Sequence, residues 1–221
     1  MSSMKIVFIS FLYFKDGGSQ KLEDFQAKAK PYFEKYKIQI LHQYQPVSKG
    51  QIGDSQNDIE QPDLIQIFTA ESMADFQLYM ADEEVKKLAE IRNSGLRKMN
   101  VSFGTEIQTA DIITASAQNA FHGIALVTCK EDAGNQLIEF NRQGQAGGLF
   151  SKYGIHAESF IKVMKSMSAI GELDYQQPEL IAIFGVDDPS KMKEYIADSD
   201  YQKLAPIRDN ALKSYHFFMC K

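Results

Sequence analysis

Four histidines, His42, His122, His156 and His216, fall in stretches rich in β-branched and aromatic residues that read as strands. An imidazole on a strand points to one face and titrates near neutrality, so it can serve as a general base. His156 and Glu158 are two apart, which on a regular strand puts both on one face. A carboxylate there orients the imidazole and favours its protonated form. His42 shares its alternation with Ile38, Ile40 and Tyr44, an apolar setting that suits a pocket or core position. The catalytic candidates are therefore His156, Glu158 and His42. The ligand-binding candidates are Arg92, Arg208, Tyr79, Tyr195 and Tyr201. A guanidinium can anchor a carboxylate or enolate, and a tyrosine on an apolar stripe can aim its hydroxyl at a ligand. The plainer reading has each arginine complementing a helix C-terminus and each tyrosine packing with one edge wet.

Other chemistries find little support. There is no H-x-x-x-H, H-x-H or C-x-x-C spacing, so no metal site is expected. Haem needs an axial ligand, usually His or Cys, and the stretches that read as helices contain no histidine. No G-x-G-x-x-G follows a strand, so a Rossmann-type flavin or nicotinamide site is not expected either. Gly144, Gly147 and Gly148 lie in a helical stretch, where they weaken the helix, allow close packing, or let a ligand approach bare backbone. The expectation is a protein without cofactor.

The elements that position these residues come twice. Gln61–Phe68 (QPDLIQIF) recurs as Gln177–Phe184 (QPELIAIF), an offset of 116 residues that holds without a gap for roughly 40 positions. Tyr79 falls on Tyr195, Leu88-Ala89 on Leu204-Ala205 and Ile91-Arg92 on Ile207-Arg208; no histidine is shared. In the first repeat, strands are read at Lys5–Phe14, Ile38–Val47, Leu64–Phe68 and Lys98–Ile107. Helices are read from Ser19 to Tyr36 and from Glu71 to Asn93, and Ser48–Gln61 reads as a hairpin loop or strand tip. The second repeat gives strands at Phe121–Cys129, Ile155–Ser168, Leu180–Val186 and Ser214–Cys220. Its helices are Gly134–Lys152 and Pro189–Leu212, the latter kinked or broken at Pro206. Both orders are β-α-β-β-α-β, the ferredoxin-like split unit. The boundary falls at Thr109–Asn119, so the domains read as 1–110 and 119–221.

The 221 residues suffice for two such units, and 44% hydrophobic with 24% charged residues is an ordinary globular composition. A net charge of −5 argues against nucleic acid. The longest apolar run, Ile6–Phe14, falls short of a bilayer span. Cys129 and Cys220 are too few for a disulfide framework and read as reduced thiols in a cytoplasmic protein.

With the repeat in view, the chain resembles the dimeric α/β-barrel superfamily, in a domain-of-unknown-function branch related to the antibiotic-biosynthesis monooxygenase group. The residues that carry the resemblance are Tyr195–Asp209, with Tyr-Gln-x-Leu-x-x-x-Arg intact from Tyr201 to Arg208, and the preceding strand Pro178–Phe184. The first repeat keeps Leu88 and Arg92 but has Val85 where Tyr201 stands. The resemblance implies an α+β fold: two tandem ferredoxin-like units whose antiparallel sheets pack face to face as an intrachain pseudo-dimeric α/β barrel. It further implies a small-molecule pocket protein, a cofactor-independent monooxygenase, cyclase or isomerase acting on an apolar carbonyl or aromatic compound. The alternative is a non-catalytic ligand-binding or assembly module of the same fold. Partners would be a small apolar or anionic organic ligand, with no nucleic acid and no membrane, and the chain would be a pseudo-dimeric monomer or a homodimer of the fused chain.

Overall fold

The computed structural model describes residues 5–53, 59–107, 121–131 and 133–221. In chain order it contains β1 (Ile6–Phe14), α1 (Gly18–Lys35), β2 (Ile38–Tyr44), β3 (Pro46–Gly53), β4 (Leu64–Ala70), α2 (Met73–Ala81), α3 (Glu83–Ser94) and β5 (Leu96–Glu106). Then follow β6 (Phe121–Cys129), α4 (Gly134–Ala146), α5 (Leu149–Lys152), β7 (Ile155–Ile170) and β8 (Leu180–Val186). A 3₁₀ turn at Pro189–Lys191, α6 (Met192–Ala197), α7 (Ser199–Ala211) and β9 (Leu212–Cys220) complete the chain. This is an α+β protein with antiparallel strand pairing. The Thr109–Asn119 boundary lies outside the described residues. No described helix is long and apolar enough to cross a membrane.

The chain forms two compact units, each discontinuous in sequence. Unit 1 comprises Met1–Gln45, Pro62–Glu106 and Val163–Gln177; unit 2 comprises Pro46–Gln61, Ile107–Lys162 and Pro178–Lys221. Within unit 1 the strand order is β2-β4-β1-β5, followed by the distal part of β7. β1 is apolar along nearly its whole length and buried on both faces. One face packs on α1–α3 through Phe8, Leu12, Leu22, Phe25 and Tyr79. The other carries Phe11, Asn100 and Ser102, over which the Val163–Gln177 segment lies. There Asp174 accepts from Asn100 Nδ2 (2.8 Å) and pairs with Lys98 (2.7 Å), and the Tyr175 hydroxyl is 3.1 Å from Ser102 Oγ. Within unit 2 the order is β7-β8-β6-β9-β3. The Ser48–Gln61 stretch begins as strand: β3 pairs with β9 through Lys49–Phe218, Gly50–Phe217 and Gln51–His216.

The long helices differ from their sequence reading at three places: the stretch read over Gly134–Lys152 is divided at Gly147-Gly148, where Gly148 is left-handed, and two others are divided at an aspartate. The stretch read as one helix over Glu71–Asn93 is two, divided at Asp82, and the stretch over Pro189–Leu212 is divided at Asp198. Each aspartate leaves helical geometry and caps the helix that follows. Asp82 Oδ1 accepts from the amides of Glu84 (2.9 Å) and Val85 (3.4 Å), and Asp198 Oδ1 from that of Asp200 (2.7 Å). The expected break at Pro206 does not occur. α7 continues through it to Ala211.

The second oxygen of each aspartate ties the end of an earlier helix, α1 or α5. Asp82 Oδ2 accepts from the Tyr36 hydroxyl (2.7 Å) and Lys35 (3.0 Å); Asp198 Oδ2 accepts from Tyr153 (2.8 Å) and Lys152 (2.6 Å). The Tyr36 and Lys35 bonds, with those from the α3 amides, hold the Asp82 carboxyl down at about 2, and Lys35 rises to about 12. Such a depressed carboxyl stabilises the fold above its unfolded value, and the contribution is lost as pH falls through the folded one. Asp82→Asn is therefore expected to lower the urea midpoint at neutral pH. Its deficit against the unsubstituted protein should shrink between about pH 4 and pH 2. A deficit constant over that range would show that the ionised carboxylate is not its source.

Both thiols are buried, Cys129 on β6 and Cys220 on β9. Burial raises Cys129 to about 11 and Cys220 to about 12, so neither carries thiolate at neutral pH. An aromatic disulfide reagent should label neither in the native protein and both in denaturant; rapid native labelling of either would contradict this placement.

Candidate functional site

Unit 2 contains a cavity of about 170 Å³ between its sheet and its helices. Its floor is the helix-facing side of the sheet: Val127 from β6, Ala182 and Phe184 from β8, Tyr215, Phe217 and Met219 from β9, and Ala157 and Phe160 from β7. Its roof is Leu137, Phe140 and Asn141 from α4, Phe150 from α5, Met192, Tyr195 and Ile196 from α6, and Tyr201 and Arg208 from α7. Tyr201 and Arg208 are seven residues apart, two helical turns, and so lie on one face of α7.

The polar groups form one connected set. Arg208 Nη1 donates to the Tyr201 hydroxyl (2.5 Å), while Nε and Nη2 both donate to Asp209 Oδ1 (2.9 and 2.7 Å). The guanidinium lies over the rings of Phe140 and Tyr201, and its side chain is only 12% exposed. The Tyr195 and Tyr201 rings are 4.5 Å apart. Burial lifts the Tyr195 phenol well above its ordinary range and that of Tyr215 to about 12, the latter moderated by Arg208. Both stay protonated at neutral pH as hydroxyl donors, and neither hydroxyl has a hydrogen-bond partner among the described residues. Asn141 lines the cavity, and its Nδ2 donates to the Leu137 carbonyl (2.8 Å), which leaves its oxygen as an acceptor.

The corresponding space in unit 1 is occupied by aromatic rings. Phe8 pairs in register with Phe68 and Phe103; in unit 2, Gly123 pairs with Phe184 and Met219. Phe8 stacks on Phe68 at 4.8 Å and meets Phe76 at 4.1 Å and Phe103 at 5.6 Å. Unit 2 has Met192 at the offset of 116 from Phe76 and Met219 at that offset from Phe103. At Gly123 a Cβ would collide with the Phe184 ring, so only glycine lets that ring lie flat on β6. The next row reverses in polarity. Unit 1 has Ser10 opposite Gln66, with Ser10 Oγ and Gln66 Nε2 buried and without partners among the described residues, whereas unit 2 has Ala125 opposite Ala182.

The structure brings some of the sequence candidates together and disperses others. Tyr195, Tyr201 and Arg208 meet at the cavity. Tyr79 and Arg92 lie in unit 1. Tyr79 is buried among Phe33, Tyr36 and Phe76, its phenol raised to about 12 by burial, and Arg92 donates to Asn93 Oδ1 (3.0 and 2.9 Å). His156, Glu158 and His42 do not line the cavity. A β-bulge at Glu158 interrupts the alternation on which the His156–Glu158 pairing rested. Glu158 Oε2 instead lies 3.1 Å from His122 Nδ1, and His156 Nε2 lies 3.3 Å from Asp187 Oδ2. A second bulge, at Leu41, takes His42 off the Ile38–Ile40 alternation and leaves it exposed, its ring stacked on Tyr44 at 5.4 Å. Gly144 serves close packing: the Phe150 ring occupies the place of its missing Cβ. Sequence reasoning missed Tyr215, Asn141, Met192, Met219 and Gly123. Their signal is the loss of ring volume at Met192 and Met219 relative to Phe76 and Phe103.

No protein-family model matches the chain, and no curated protein matches it. Solved structures do. A candidate monooxygenase from Lactobacillus acidophilus NCFM is 14% identical, with a TM-score of 0.53 over 99% of this chain and 93% of that one. An anthrone oxidase-like protein is 10% identical, with a TM-score of 0.60 over 99% and 92%. A chlorite dismutase variant from Candidatus Nitrospira defluvii, in complex with cyanide, is 10% identical, with a TM-score of 0.59 over 99% and 92%. At such identities the likeness is one of fold alone: the chain shares the fold of these proteins.

Proposed function

We propose that the chain is a small-molecule pocket protein whose working site is the unit 2 cavity. The observation that carries the reading is the contrast between an open helix–sheet interior in unit 2 and rings packed into the equivalent rows of unit 1. On this reading the chain is a duplicated ferredoxin-like unit, 1–110 and 119–221, a pseudo-dimer in which one copy keeps a ligand site and the other is closed by phenylalanine. The ligand is a compact apolar or aromatic compound, its oxygen met by Tyr195, Tyr201 and the Arg208 that steadies Tyr201. The setting is cytoplasmic, in keeping with two unpaired thiols.

Two of the neighbours are named for oxidation chemistry, a candidate monooxygenase and an anthrone oxidase-like protein. Oxidation of the bound compound is the catalytic form of the proposal. Simple retention of the ligand is its alternative, favoured by a lining with no carboxylate, imidazole or thiol to move a proton. The same lining offers neither of the side chains that most often ligate haem iron, His and Cys, so it does not fit a haem.

The test uses toluene as a probe of dry cavity space. Ligand-observed NMR should show toluene bound to the full chain, and Met192→Phe with Met219→Phe should remove the signal while leaving the circular dichroism unchanged. Undiminished binding by the folded double variant would place the ligand site elsewhere.

A further inference from the structure

We propose that the ligand of the unit 2 cavity is an uncharged, single-ring hydroxyarene, held by its hydroxyl, and that Asp209 makes the site select against carboxylates. This deepens the pocket reading and rests on it.

Size comes first. A cavity of about 170 Å³ is comparable with the roughly 150 Å³ apolar cavity that accommodates benzene. One substituted ring fits that space. Phe140, Phe160 and Phe217 supply ring faces and edges for an aromatic guest.

Charge comes second. Arg208 is the cavity's one charged side chain, and its Nε and Nη2 are already taken by Asp209. Its Nη1 donates to the Tyr201 hydroxyl. A carboxylate entering the site would meet an arginine already neutralised and would shed its hydration for little return. A neutral oxygen escapes that cost. In unit 1 the equivalent arginine, Arg92, is paired to the uncharged amide of Asn93, so the carboxylate at 209 is particular to the unit with the cavity.

Hydrogen bonding comes third. The Tyr195 and Tyr215 hydroxyls have no partner among the described residues and remain protonated. The Tyr201 oxygen accepts from Arg208, so its proton turns away from the guanidinium. These are donors, and the free oxygen of Asn141 is an acceptor. A phenolic hydroxyl both accepts and donates and can use both kinds; a ketone or ether uses only the donors.

The experiment measures toluene, p-cresol and p-toluate binding to the full chain by calorimetry at neutral pH, where the cresol is neutral and the toluate ionised. We expect p-cresol to bind about three- to tenfold tighter than toluene, the effect of one or two uncharged hydrogen bonds. Toluate should bind no better than toluene. Tyr215→Phe should shrink the cresol preference and spare toluene. Asp209→Asn should raise toluate affinity by freeing Arg208. Tighter toluate than cresol binding by the unsubstituted protein, or equal cresol and toluene binding, would overturn the proposal while leaving the pocket reading intact. Failure of all three to bind would overturn both.

Discussion

Helix α7 begins where Asp198 ends α6, and the cavity's polar wall depends on that choice. One oxygen of Asp198 closes the first turn of α7, and the other takes hydrogen bonds from Lys152 and Tyr153 at the end of α5. The side chain of Asp198 is only 7% exposed. Those bonds keep its carboxyl ionised far below its ordinary range, Lys152 contributing most. The cap sets the starting phase of α7, and the phase puts Tyr201 and Arg208 on the cavity side. Lys35, Tyr36 and Asp82 build the same node in unit 1. The node is thus a device of the fold, and the residues α7 carries inward are what differ.

What differs is mostly volume. Truncating a packed phenylalanine to alanine costs about 3–5 kcal/mol. Unit 1 retains that packing in Phe8, Phe76 and Phe103; unit 2 forgoes it at Gly123, Met192 and Met219. A fold that leaves such space without filling it sacrifices stability, as binding sites commonly do. Methionine suits the rim of such a space because its unbranched chain adapts to what enters. The buried Ser10 and Gln66 of unit 1 show the inverse, polar groups left beneath a ring plug that admits no partner for them among the described residues.

The elements were legible in the sequence wherever burial imposed a period. β1, β4, β6 and β8 stand close to their apolar runs. Tyr195, Tyr201 and Arg208 were legible as a group, since helical spacing puts them on one side. The helix breaks were not: Asp82 and Asp198 sit inside continuous apolar periodicity, and a cap shows only once its amide partners are placed. Bulges at Leu41 and Glu158 carry no periodic signature, yet each re-aims the side chains beyond it, which is why His42 is exposed and Glu158 meets His122 rather than His156. The cavity was hidden by one residue of register. At the offset of 116 Phe8 falls on Ile124, whereas the strand ladders place Gly123 in the position of Phe8.

The central claim is that open space in the helix–sheet interior belongs to unit 2 and is closed in unit 1. Xenon occupies dry cavities without needing any polar contact, so the most direct measurement is a crystal structure under xenon pressure. The account predicts xenon density between Phe184, Met192 and Phe160, and none among Phe8, Phe68 and Phe76. Xenon among the unit 1 rings, or its absence from the unit 2 cavity, would contradict it.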